Sequence, residues 1–279
     1  MLEIKLTSGP KNATTDAATG LRYYEWRGRK LPSTTTLRRI AGLPFLLHQW
    51  TVSKVVERAI AEYPVMQTMM ERPKRERERV RDKNVAKEVG RWLRSAASEE
   101  RDSAAELGTL VHDLAVTRQP LALVDPDARP YLAQFYDWLR VSGVNVIATE
   151  QQVFNLEVGY AGTFDLLIEW PDGSIDVIDI KTGRGTYTDH ALQLVSYALA
   201  EFVGKDDVID LPLTKALHAA SKMSLLHLSE HEWKYQRVPA SAELFGAFKG
   251  LCTFATWTAD HMELASVLDY EEVGGVVLP

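Results

Sequence analysis

The sequence predicts an α/β fold: a central mixed sheet flanked by helices and preceded by a helical N-terminal region. Two observations predict it. Apolar residues recur at helical spacing through the first half of the chain. Past Val144 the period shortens to strand-like runs at 146–154, 162–170 and 174–181, before helical spacing returns at 188–202. Helix, strands, helix and strand in that order suit layers around one core. With 279 residues, 46% of them hydrophobic and 25% charged, the chain can bury such a core without covalent staples, and disordered and fibrous classes are excluded.

Taken in order, residues 1–100 read as a helical region packed on a core of residues 101–279. The aromatic cluster Tyr23-Tyr24-Glu25-Trp26 precedes Pro32-Ser33-Thr34-Thr35-Thr36, where Ser33 stands at the N-cap position ahead of Leu37, Ile40 and Ala41. Val52, Val55, Val56, Ala59 and Ile60 are spaced as one apolar helix face. From Glu71 to Arg94 there are ten cations against five anions, in a chain whose net charge is -6. Such a run is either a solvated helix laced by ion pairs or a basic arm for phosphates. Helices are expected at 106–115, burying Leu107, Leu110, Val111 and Leu114, and at 131–139, burying Leu132, Phe135, Tyr136 and Leu139. Strands at 225–228 and 235–238 and a helix at 240–257 close the chain.

Cys252 is the single cysteine, which excludes an internal disulfide framework, a four-cysteine zinc site and a four-cysteine iron-sulfur cluster. The first eleven residues lack the apolar run of a signal peptide, and no apolar stretch reaches the ~20 residues that cross a bilayer. A soluble, cytoplasmic protein without membrane partners is expected.

The most informative stretch is 162–181. Pro171-Asp172-Gly173 reads as a hairpin loop, with proline fixing one φ and glycine free to take the left-handed position. If Trp170 and Ser174 close it, Asp165 falls opposite Asp179, and Lys181 shares their face. Leu166, Ile168, Ile178 and Ile180 then point the other way into apolar packing. Two facing carboxylates in a half-buried hairpin repel unless a cation or a shared proton compensates them. Oxygen ligands select a hard ion, Mg²⁺ or Mn²⁺, with Lys181 placed to orient a water or stabilise developing negative charge on a phosphate. The competing reading has one Asp in solvent and the other paired with Lys181, at the cost of a one-residue slip that turns Ile178 and Ile180 outward.

These residues resemble the RecB-type branch of the PD-(D/E)XK nucleases. The match consists of Gly162 to Asp165 as Gly-x-x-Asp, Asp179 to Lys181 as Asp-x-Lys, Gln193 to Tyr197 as Gln-x-x-x-Tyr and Gly108 to His112 as Gly-x-x-x-His, in the family's order. Pro32 to Thr36 with Trp50 is similar to a segment that precedes the core in phage and mitochondrial single-strand exonucleases. The resemblance implies that Asp165, Asp179, His112 and the backbone carbonyl of Ile180 bind metal while Lys181 assists hydrolysis. Gln193 and Tyr197 would support the lysine or touch DNA, and Glu150 stands where such enzymes often carry an acid. Arg75 and Arg79, in the basic run, become candidates for DNA contact. Asp179 replaces the more frequent Glu, Phe164 replaces the proline of the family name, and the chain lacks the cysteines of the iron-sulfur members and any Gly-x-x-x-x-Gly-Lys-Ser/Thr loop.

The expectation is therefore a stand-alone metal-dependent deoxyribonuclease, an exonuclease of phage or prokaryotic recombination, repair or replication. Its substrate would be single-stranded or free-ended DNA, with recombination or replication proteins as partners. The rivals are a non-catalytic nucleic-acid-binding or inhibitory adaptor and a structure-specific endonuclease. His48, His190, His218, His227, His231 and His261 show no zinc spacing and are expected to be structural or at the surface.

Overall fold

The computed structural model describes residues 13–15, 22–41, 44–71, 83–183 and 185–260. Its centre is a seven-stranded mixed sheet. Strands β4 (Asn145–Asn155), β5 (Tyr160–Glu169) and β6 (Ile175–Lys181) form an antiparallel meander in its middle. On one side lie β7 (Phe202–Lys205) and β8 (Val208–Ile209), and on the other β9 (Ala220–Leu228) and β10 (Trp233–Val238), giving the order β10-β9-β6-β5-β4-β7-β8. Only the β6/β9 pair is parallel among the described strands, so a crossover must join its members.

The predicted hairpin forms in the predicted register. Glu169 pairs with Ile175 and Leu166 with Ile178, and Gly173 takes φ +80° in the loop, as only a residue without a Cβ does at little cost. One face of the sheet packs Leu166, Ile168, Ile178 and Ile180 against Val111 and Ala115 of the helix Lys83–Thr117 and against Leu132, Phe135 and Trp138 of the helix Arg129–Ser142. The opposite face packs Leu167 and Val177 against the helices Thr188–Ala198, Leu211–His218 and Ala242–Asp260. We number the helices Thr34–Ala41 α1, Pro44–Ala61 α2, Tyr63–Met70 α3, Lys83–Thr117 α4, Arg129–Ser142 α5, Thr188–Ala198 α6, Leu211–His218 α7 and Ala242–Asp260 α8. Among the described residues no helix is long and apolar enough to cross a membrane.

Asp176 lies on the first of these faces, among apolar residues, and nothing in the sequence pattern marks it. It is fully buried, and its Oδ2 accepts from Trp170 Nε1 at 3.3 Å, Ser224 Oγ at 3.0 Å and the Tyr235 hydroxyl. Burial pushes its carboxyl pKa up against those hydrogen bonds. The cluster ties the start of β6 to β9 and β10.

Several expectations need correction. The N-terminal region is not wholly helical: β2 (Arg22–Trp26) and β3 (Arg29–Pro32) form a hairpin, with β1 (Thr14–Thr15) alongside. Tyr24 and Trp26 alternate inward with Glu25 outward, and both rings pack on Phe154. Ser33 does cap α1, accepting from the Thr36 amide at 3.1 Å. On α2, Val52, Val56 and Ile60 are exposed. The face turned to α4 instead carries Lys54, bound to Glu100, and Arg58, bound to Glu99 and Ser95. Long aliphatic stems bury while their charges pair, so ionic residues took the contact that apolar spacing had assigned to valines. On α4 and α5 the expected stripes hold at Leu107, Val111, Leu114, Leu132, Phe135, Tyr136 and Leu139, but Leu110 is exposed and Trp138, not expected, is buried. The helix expected at 188–202 ends at Ala198, and Phe202 begins β7.

Gly162 shows how tightly α6 sits on the meander. A Cβ there would lie 2.5 Å from Tyr197 Cε1 and 2.9 Å from Thr34 Oγ1. Gly162→Ala is expected to destabilise the fold by about 1–3 kcal/mol. Urea unfolding measures this, and an unchanged midpoint would contradict the packing described.

Candidate active site

The β5/β6 ladder stops at Leu166 and Ile178, although each strand continues with its other neighbour, β5 to Tyr160 beside β4 and β6 to Lys181 beside β9. The two strands part just where the acids lie. Asp165 and Asp179 are therefore not a ladder pair, as the hairpin arithmetic suggested, but buried neighbours, 7% and 1% exposed, at the opening of a fork. Asp165 Oδ2 accepts from the Ile180 amide at 2.5 Å, a side chain filling the gap between the strands.

Two further elements reach into the fork. Helix α4 brings His112, whose Nδ1 lies 3.5 Å from Asp165 Oδ1 and 3.9 Å from Glu150 Oε1. Its close approach depends on Gly108 one turn earlier, where a Cβ would come within 3.0 Å of Thr182 Oγ1. Strand β4 brings Glu150, in a left-handed backbone conformation at φ +47° between the ladder pairs Thr149–Leu166 and Gln151–Phe164. A non-glycine residue held there stores on the order of 1–3 kcal/mol, a cost that tends to concentrate at functional sites. One ligand atom each from His112, Glu150 and Asp165 lie within 4.8 Å of one another.

Lys181 Nζ lies 2.5 Å from Asp179 Oδ2 and 3.3 Å from Gln193 Oε1. Gln193 Nε2 donates in turn to the Tyr197 hydroxyl at 2.6 Å, so the i, i+4 pair on α6 ends in the lysine. Tyr197 is 2% exposed, and burial raises its hydroxyl pKa well above the ordinary value, which keeps it neutral. All of these residues except Asp179 line a cleft of about 390 Å³, together with Ile180, Arg22, Thr35, Arg38 and Gly108. Arg22 and Arg38 are cleft residues that no motif or periodicity had marked. Arg75 and Arg79 lie outside the described residues.

The electrostatics are those of an acid cluster short of positive charge. Burial raises the Asp179 carboxyl pKa, with Lys181 opposing and Asp165 reinforcing the rise. Burial acts the same way on Asp165, but His112 and Lys181 outweigh it and hold its pKa low. For His112 burial disfavours the proton, yet Asp165 and Glu150 overcome both that and Lys181, lifting its pKa to about 9. The imidazolium thus serves as the counter-charge to the carboxylates. Two carboxylates and one imidazole converging here are a donor set that fits a hard divalent ion, and Asp179, expected as a ligand, lies outside that group. Glu150 belongs to that set, more centrally than its place in the sequence suggested.

The family model described as PD-(D/E)XK nuclease superfamily matches residues 65–207, a span that holds His112, Glu150, Asp165, Asp179, Lys181, Gln193 and Tyr197. No curated protein matches the chain. A solved structure described as "Crystal structure of SSO0001" is similar at 15% identity over 56% of this chain and 75% of that one, with a TM-score of 0.30, too slight a likeness to inform the fold.

Ligation through His112 requires that its proton leave. At pH 7 a group with its pKa at about 9 is protonated, so Mn²⁺ affinity is expected to rise with pH and to level off above that value. Calorimetry at pH 7 in two buffers of different ionisation enthalpy should record about one proton released per ion. Affinity independent of pH and buffer would remove His112 from the site.

Proposed function

This chain belongs to the PD-(D/E)XK nuclease superfamily, whose model spans more than half of it, and from that membership we propose a metal-dependent deoxyribonuclease of the RecB-type branch that hydrolyses phosphodiester bonds. In this reading Asp165, Asp179, Glu150 and His112 hold Mg²⁺ or Mn²⁺, with the Ile180 carbonyl as a further ligand. A divalent ion in such a site polarises the scissile phosphoryl group and acidifies the attacking water.

The single observation that carries the reading is the bracketing of Lys181 by Asp179 and Gln193 at the mouth of the acid fork. Held from both sides, the ammonium keeps a fixed position from which it can donate to an oxygen gaining negative charge. Asp179 keeps that ammonium close, and Tyr197 holds the Gln193 amide so that its oxygen, not its nitrogen, faces the lysine. In this reading the substrate is a single strand or a free end rather than continuous duplex. We read the enzyme as an exonuclease working in the cytoplasm on DNA intermediates of phage or prokaryotic recombination, repair or replication, as the resemblance of its motifs implies. The basic run containing Arg75 and Arg79 would add phosphate contacts.

The test is cleavage of labelled linear single- and double-stranded DNA, and of circular DNA, with Mg²⁺ or Mn²⁺. Linear substrates are expected to be digested from their ends and circles spared. Lys181→Ala and Asp165→Asn should each lower the rate by about 10²–10³-fold or more. Gln193→Ala should lower kcat while leaving Mn²⁺ affinity unchanged. DNA bound but never cut by the wild type would favour the adaptor, and nicked circles would favour an endonuclease.

A further inference from the structure

Arg38 has no part in the chemistry described so far. It sits on α1, and its side chain lines the cleft beside Arg22, Thr35, Lys181 and Gln193. Its Nε lies 3.5 Å from Asp189 Oδ2, an ion pair too long for a good hydrogen bond. Nε and Nη1 are both buried and have no hydrogen-bond partner among the described residues. A guanidinium carries five donors and cannot shed its charge, so leaving such donors dry and unpaired is costly.

The fold nevertheless holds it there. Arg22 O accepts from the Ser33 amide at 2.9 Å, and the Arg22 amide donates to Thr36 Oγ1 at 3.1 Å, so the edge of β2 and the first turn of α1 form one hydrogen-bonded unit. That unit carries both arginines to the cleft. Asp189 steers the Arg38 side chain without satisfying it. Elsewhere the cleft presents Asp113, Glu150 and Asp165, a surface that would repel a phosphate without local cations.

We propose that Arg38, with Arg22 beside it, forms an anion subsite that binds a phosphate of the nucleic-acid strand next to the scissile bond. The inference rests on the nuclease reading and deepens it. The planar guanidinium fork matches two oxygens of one phosphate, a bidentate fit that an ammonium cannot reproduce. Arg38 is thus a positioning residue, setting the register of the strand against Lys181. The phosphate belongs either to the strand interior or to its end, and both present the same oxygens.

The experiment replaces each phosphate of a short single-stranded oligonucleotide in turn by an uncharged methylphosphonate, with a parallel series bearing a 5′-phosphate or a 5′-hydroxyl. Wild-type protein is expected to lose about 10–100-fold in kcat/KM at one position. Arg38→Ala should start lower by a similar factor and lose nothing more at that position, while remaining sensitive elsewhere. Its binding should also depend less on salt, the slope of log affinity against log salt falling by about one. Arg38→Lys should restore only part of the loss. Sensitivity confined to the terminal group assigns the subsite to a strand end, and sensitivity inside the strand assigns it to the backbone. Identical profiles for wild type and Arg38→Ala would overturn the proposal. Should Arg38→Ala not fold, Arg38→Gln keeps the aliphatic stem and answers the same question. A wild type that cuts none of these substrates refutes the nuclease reading on its own. The subsite is then judged by fluorescence anisotropy on the same oligonucleotides, where equal affinity of wild type and variant would refute it too.

Discussion

Two carboxylates of like charge, both buried where a β-hairpin splits and each within reach of the other's field, set the terms for everything around them. Asp165 and Asp179 are almost wholly shut off from water, so neither solvent nor salt can screen their repulsion. The fold answers with cations placed to suit. Lys181 lies against Asp179, and His112, its pKa lifted to about 9 by the acids, lies against Asp165. Each answer imposes further conditions. Lys181 needs Gln193 and Tyr197 behind it, Tyr197 needs Gly162 to lie flat, and His112 needs Gly108 to bring its helix in. The four short motifs are one electrostatic problem solved in four places.

How much of this could be read from the chain depended on range. The hairpin was legible because its information is local: a turn residue with a free φ, strict alternation on either side, and a register fixed by loop length. From it the adjacency of Asp165, Asp179 and Lys181 followed by counting. Its failure was equally local, since counting assumes that a ladder continues and this one opens at Leu166 and Ile178 because each strand keeps its outer neighbour. The contribution of Glu150 was harder to see, since it depends on a left-handed backbone conformation in mid-strand that its residue type does not advertise. Arg38 was invisible for a different reason: one of two adjacent arginines on a short helix reads as surface until its neighbours are known.

The forepart shows the same limit from the other direction. Tyr24 and Trp26 alternate across too few residues to announce a strand, and only Phe154 and Phe202, far along the chain, explain why they turn inward. On α2 the apolar spacing was real, but spacing does not say which face meets a neighbour. Lys54 and Arg58 meet α4 through acids that lie more than forty positions away. Hydrophobic periodicity is a reliable guide where an element rests on a sheet and a weak one where two helices meet through paired charges.

The buried cluster around Asp176 bears on how this molecule can accommodate a polymer. It fastens the start of β6, three residues before Asp179, to β9 and β10 through Trp170, Ser224 and Tyr235. To shift β6 would leave the buried Asp176 carboxyl without its donors, a costly loss. A polymer entering the cleft thus meets a floor tied to its neighbours by buried hydrogen bonds, with walls supplied by α1 and α4.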